Sequence, residues 1–98
     1  MANLIGMSGK ELSEYLLNQG YDNNCHIDHI IPLSKFNLTL EDHQMVACHY
    51  LNLQSLGKFE NMSKHDTLPN SWENNIIQIC KIRNINSQPI IEHIESGI

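Results

Sequence analysis

The eight residues 25–32, Cys-His-Ile-Asp-His-Ile-Ile-Pro, limit what this chain can become more than any other stretch. His26, Asp28 and His29 put three ionisable side chains within four positions, and Ile30-Ile31-Pro32 follow at once. On a β-strand alternate residues share a face, so His26 and Asp28 point one way while Ile27 and His29 point the other. Pro32 has no N–H to give to a ladder and closes the strand. An acid beside an imidazole arises often by chance. The stretch gains weight from a polar set further on: His49, Asn52, Asn61, Lys64 and His65.

With 98 residues the chain suffices for one small domain and is too short for two independent cores. An interior of that size often leans on a metal, a partner or a second copy of the chain. No apolar run approaches the roughly 20 residues that span a bilayer, and the start lacks the basic-then-apolar order of a signal peptide. The expectation is a cytoplasmic protein with no membrane association. Cys25, Cys48 and Cys80 are scattered, with no Cys-x-x-Cys pair, and are expected to be reduced, partly buried thiols rather than a zinc knot or a disulfide scaffold.

Six Lys and Arg against eleven Asp and Glu leave a net charge of −5, the wrong sign for gripping nucleic acid by phosphate contacts alone. The acids gather mostly elsewhere, at Glu11, Glu14, Glu41, Asp42, Glu92 and Glu95, whereas residues 57–66 set Lys58 and Lys64 against Glu60 and Asp66. A bound divalent cation would add two positive charges locally.

Along the chain, Ser8 is placed to cap a helix over residues 9–18, with Leu12, Tyr15 and Leu16 on its inner stripe and Gly20 ending it. A strand over 26–31 and a loop over 33–38 follow. Thr39 reads as the N-cap of a helix reaching about residue 49, with Glu41 and Asp42 in its first turn. Residues 51–56 alternate as a short strand that Gly57 breaks, and 59–65 read as a short helix. After Ser71 comes a further helix carrying Trp72, Ile76, Ile77, Ile79 and Cys80. Pro89 then opens a terminal helix with Ile90, Ile91 and Ile94 on one side, an isoleucine-rich tail suited to self-association. His26 reads as a structural strand residue or a partner of the site, and His49 as packed and hydrogen-bonded. His43 and His93 are assigned to exposed helical faces.

Strand, loop, strand and short helix, with Asp28-His29 on the first strand, resemble the HNH endonuclease family, the ββα-metal or His-Me finger nucleases. The residues carrying the resemblance are Ile27-Asp28-His29-Ile30-Ile31-Pro32, then His49-Tyr50-Leu51-Asn52-Leu53-Gln54-Ser55-Leu56, then Asn61-Met62-Ser63-Lys64-His65-Asp66. With the leading helix it covers residues 5–70 and is nearest in kind to phage and large-DNA-virus HNH proteins. It implies an α+β fold: one domain over 1–98, with a helical lead-in (1–24), a ββα-metal core (25–68) and a helical extension (69–98).

The resemblance implies a metal-dependent DNA endonuclease that hydrolyses or nicks phosphodiester bonds, and the chemistry of the residues suits that. Such hydrolysis needs a deprotonated water, charge neutralisation on the phosphate and help for the leaving oxygen. His29, with an ordinary pKa of about 6.5, can take a proton from water at neutral pH. The resemblance makes Asp28 and Asn61 the metal ligands, Asn61 lying nine positions past Asn52 as the family spacing requires. It gives Asn52 the task of tying the loop to the backbone and orienting the base. His65, one helical turn past Asn61, is a third ligand or phosphate contact, and Lys64 a point charge for phosphate. Mg²⁺ is the expected cation, with Mn²⁺, Ni²⁺ or Zn²⁺ as alternatives. Double-stranded DNA is the expected partner, read with little sequence selectivity because no zinc finger, basic arm or helix-turn-helix accompanies the core. A homodimer through the C-terminal helices would bring a second site, and a phage- or virus-encoded chain would act in the host cytoplasm. The alternative is a binding or assembly protein that keeps the HNH shape without its activity.

Overall fold

A computed structural model describes residues 4–22, 24–60 and 67–97. Among the described residues it is an α+β arrangement of helices with one two-stranded antiparallel sheet. The first helix, α1 (Gly9–Asn18), begins where its local sequence dictates. The Ser8 hydroxyl accepts from the Glu11 N–H and the Glu11 carboxylate accepts from the Ser8 N–H, a reciprocal cap of a kind that contributes about 1 kcal/mol. Only Leu16 of α1 is buried, and the helix leans on the body through Tyr15, whose ring meets Tyr50 edge-on at 5.4 Å.

Strands β1 (Cys25–His29) and β2 (Leu53–Gly57) pair with Asp28 opposite Gln54 and His29 opposite Leu53. Both are shorter than the sequence pattern suggests. Ile30 and Ile31 leave the strand, Leu33–Lys35 make a single 3-10 turn, and a second 3-10 turn, Tyr50–Asn52, replaces the start of β2. Gly57 closes β2 from inside the strand, and residues 58–60 are helical.

Helix α2 runs from Glu41 to Ala47 and its N-cap is Leu40, not Thr39. The Thr39 hydroxyl instead donates to Asn37 Oδ1 at 2.6 Å, so an Asn-based turn has taken the group that a cap would need. α3 (Trp72–Arg83) ends at Asn84, which takes the left-handed conformation (φ 59°) that asparagine tolerates. α4 (Gln88–Glu95) follows, with a proline in its first turn.

The core forms where α2, α3 and α4 meet: Val46 and Ala47, then Ile76, Ile79 and Cys80, then Ile90, Ile91 and Ile94, joined by Ile31 and Phe36 from the loop after β1. The terminal isoleucines are therefore interior, and the exposed isoleucine-rich tail expected from the sequence is not found. Each such side chain contributes roughly 2–3 kcal/mol when fully buried, so α4 is held as core rather than offered as an exposed apolar face. Among the described residues no helix is long and apolar enough to cross a membrane. The three cysteines are free thiols, with Cys80 buried.

Candidate active site

The end of β1 is fixed by a single buried side chain. Asn52 is 0% exposed, and its Oδ1 accepts from the Ile31 N–H at 2.8 Å. Its Nδ2 donates to the carbonyls of Ala47 (2.8 Å) and Ile31 (3.2 Å). Its own carbonyl accepts from the Ile30 N–H at 2.7 Å, continuing the register of the ladder past the last strand pair. The Ile31 side chain is fully buried in the core. Together these bonds stop the strand at His29 and tie the following backbone to the helical body. Asn52 ties the loop through backbone groups only, with each polar atom of its amide engaged.

Asp28 and His29 stand immediately before this anchor. Both are half-buried, in contrast to His26, which is exposed. Across the ladder, Gln54 Nε2 donates to Asp28 Oδ2 at 2.9 Å. His29 lies opposite buried Leu53. The structure thus gathers Asp28, His29, Asn52 and Gln54 at one end of the hairpin. Gln54 stands in the sequence pattern with no role attached; its position opposite Asp28 follows from strand register, which was the signal available to find it. Asn61, Lys64 and His65 lie outside the described residues.

His49 serves a different surface. It is 1% exposed, its Nδ1 accepts from the Leu51 N–H at 3.1 Å, and its ring stacks on Tyr50. Its Nε2 side faces Gly6, whose positive φ (+87°) lets the chain pass where a Cβ would sit 3.0 Å from that nitrogen. Burial, seconded by the Arg83 guanidinium, pushes the His49 pKa down to about 4. Arg83 in turn donates to the Leu4 carbonyl at 2.6 Å, and the Tyr50 N–H donates to the Ile5 carbonyl at 2.8 Å. His49 therefore seats the N-terminal segment.

His43 corrects the sequence reading. It is 4% exposed rather than on an open face, its Nδ1 accepts from the Asn37 N–H at 3.0 Å, and its ring meets those of Phe36 and His93 edge-on. Burial, with His93 adding to it and Asp42 opposing, lowers its pKa.

Among the described residues no group of three or more His, Cys, Asp or Glu side chains is gathered so as to hold a metal ion. What the described part of the site offers is one carboxylate and one imidazole at successive positions of β1, Asp28 paired with Gln54 and His29 with Leu53. The donor chemistry of Asp28 fits a hard divalent cation as one ligand of several. No family model matches the chain, and neither a curated protein nor a solved structure matches it.

Proposed function

We propose that the chain is a metal-dependent DNA endonuclease of the HNH type, with β1, β2 and the segment that follows β2 as its ββα-metal core. The observation that carries this reading is the Asn52 clamp, which ends β1 at His29 and holds Asp28 and His29 against β2. Such a constraint suits a pair of groups that must meet a phosphate in fixed geometry, since orientation contributes a large share of catalysis.

In this reading His29 removes a proton from the attacking water. Asp28, with Asn61 and His65 from the segment after β2, holds a divalent cation, Mg²⁺ first among the candidates. When bound, the cation neutralises phosphate charge and stabilises the leaving 3′ oxygen. Lys64 contacts phosphate as a point charge. Double-stranded DNA is the substrate, and the net charge of −5 makes its binding weak and dependent on the cation.

The test is conversion of supercoiled plasmid to open circles in Mg²⁺ or Mn²⁺. The purified chain should nick, EDTA should stop it, and Asp28→Ala should weaken cation binding and cleavage together. Absence of cleavage with every cation offered, or an Asp28→Ala variant as active as the parent, overturns the proposal.

A further inference from the structure

We infer that the outer edge of β1 is a self-association surface, on which a second copy of the chain pairs its own β1 antiparallel, centred on Ile27. No cation and no substrate takes part, so this contact stands or falls apart from the nuclease reading.

The phase of the ladder fixes which backbone groups face outward. The Lys58 N–H donates to the Asn24 carbonyl at 3.1 Å, and the Ile30 N–H to the Asn52 carbonyl at 2.7 Å. Even-numbered residues of β1 therefore bond to β2, and Cys25, Ile27 and His29 turn their backbone groups the other way. Among the described residues the sheet ends at β1, with no strand beyond it. The matching edge of β2 is covered, because the outward N–H of Ser55, opposite Ile27, donates to Gln19 Oε1 at 2.9 Å. Among the described residues no side chain covers the Ile27 N–H in that way. An edge left open is a template for a further strand.

The side chains around Ile27 suit a second copy. Ile27 is 47% exposed and Leu17 61%, and both border an apolar pocket with Leu12, Leu16 and Tyr21. About a two-fold axis at Ile27 the two apolar patches meet, since directly opposed residues of an antiparallel pair project from the same face. The same axis sets His26 of each copy opposite Asp28 of the other. An imidazole opposite a carboxylate is a favourable cross-strand pair, and the ring offers an N–H whether or not it is charged. Asp28 keeps its bond to Gln54 within its own chain, and only opposite character across the axis is required. The order His26-Ile27-Asp28 is thus complementary to itself when reversed, which selects a second copy over an unrelated strand.

A five-residue strand with a small apolar patch makes a contact well below the standard interface of about 800 Å² per partner. The experiment therefore follows sedimentation equilibrium of the full chain from roughly 1 μM to 1 mM, the range of weak complexes. The parent should pass from monomer to dimer within it. Ile27→Lys sets like charges on the axis and removes apolar area from both copies, and should raise the dissociation constant by at least ~10-fold. His26→Asp opposes two carboxylates at both ends of the contact and should raise it by roughly 5-fold, which keeps the test decisive if the first variant folds poorly. In the parent, amide exchange followed by NMR should slow at Ile27 as concentration rises, and change less at Asp28, whose N–H bonds to β2. A parent that stays monomeric to the top of the range overturns the inference. So does a folded Ile27→Lys variant that dimerises as tightly as the parent, or an Ile27 amide whose exchange ignores concentration while the chain dimerises.

Discussion

The helical body and the β1–β2 hairpin are held in place by different means. In the body, α2, α3 and α4 bury Val46, Ile76, Ile79, Ile90 and Ile94 almost completely. Its two interior histidines, His43 and His49, are buried neutral and spent on backbone N–H groups. The hairpin has almost no core of its own. No residue of β1 is buried, Ile27 is 47% exposed, and only Leu53 of β2 reaches the interior. Its order is borrowed from the body at one end, through Asn52 and Ile31. The groups suited to chemistry lie on the part that contributes least burial. Residues at a site can stay half-solvated and reactive when the cost of fixing them falls on neighbours that are packed.

The largest test of that division is Asn52→Ala. It removes three buried side-chain hydrogen bonds and leaves the Ile31 N–H and the carbonyls of Ile31 and Ala47 without partners. A loss on the order of 3 kcal/mol is expected from unsatisfied buried groups, read from urea unfolding. A variant within about 0.5 kcal/mol of the parent would mean that the hairpin is not anchored this way.

A second test uses pH. An unfolded histidine titrates near 6.5, whereas folded His49 titrates near 4. Between those values the unfolded chain takes up a proton that the folded chain refuses, so stability is fully present above about pH 6.5 and falls as pH drops toward 4. His43, shifted in the same direction, adds to the decline. The His49 contribution is at most about 3 kcal/mol. Unfolding measured across this window should show a shallower slope in His49→Gln. An unchanged slope would place the titrating group elsewhere.

How far the sequence spoke for itself follows the same boundary between local and distant causes. α1 was legible to the residue because Ser8 and Glu11 cap each other three positions apart. The register-dependent features were not. The Asp28–Gln54 bond spans 26 positions, and the pairing that makes it depends on where both strands end. Thr39 lost its cap to Asn37, a competition between two local turns that composition does not rank. His43 and the terminal isoleucines were misassigned because α4 folds back over α2 and α3, and an amphipathic stripe does not say which neighbour will cover it. In the candidate site, Asp28, His29 and Asn52 stand out in the sequence by type and spacing alone. The backbone targets of Asn52 required the fold.

The central claim of the proposed function is that fold and chemistry are divided between the body and the hairpin, with His29 as the proposed base on the chemical side. The most direct measurement pairs two readings on one variant, His29→Ala: urea unfolding and nicking of supercoiled plasmid in Mg²⁺. The account predicts stability within about 1 kcal/mol of the parent, retained cation binding, and cleavage lowered by at least ~10²-fold. Full cleavage by a rigorously purified His29→Ala chain, or loss of the fold in its place, would contradict it.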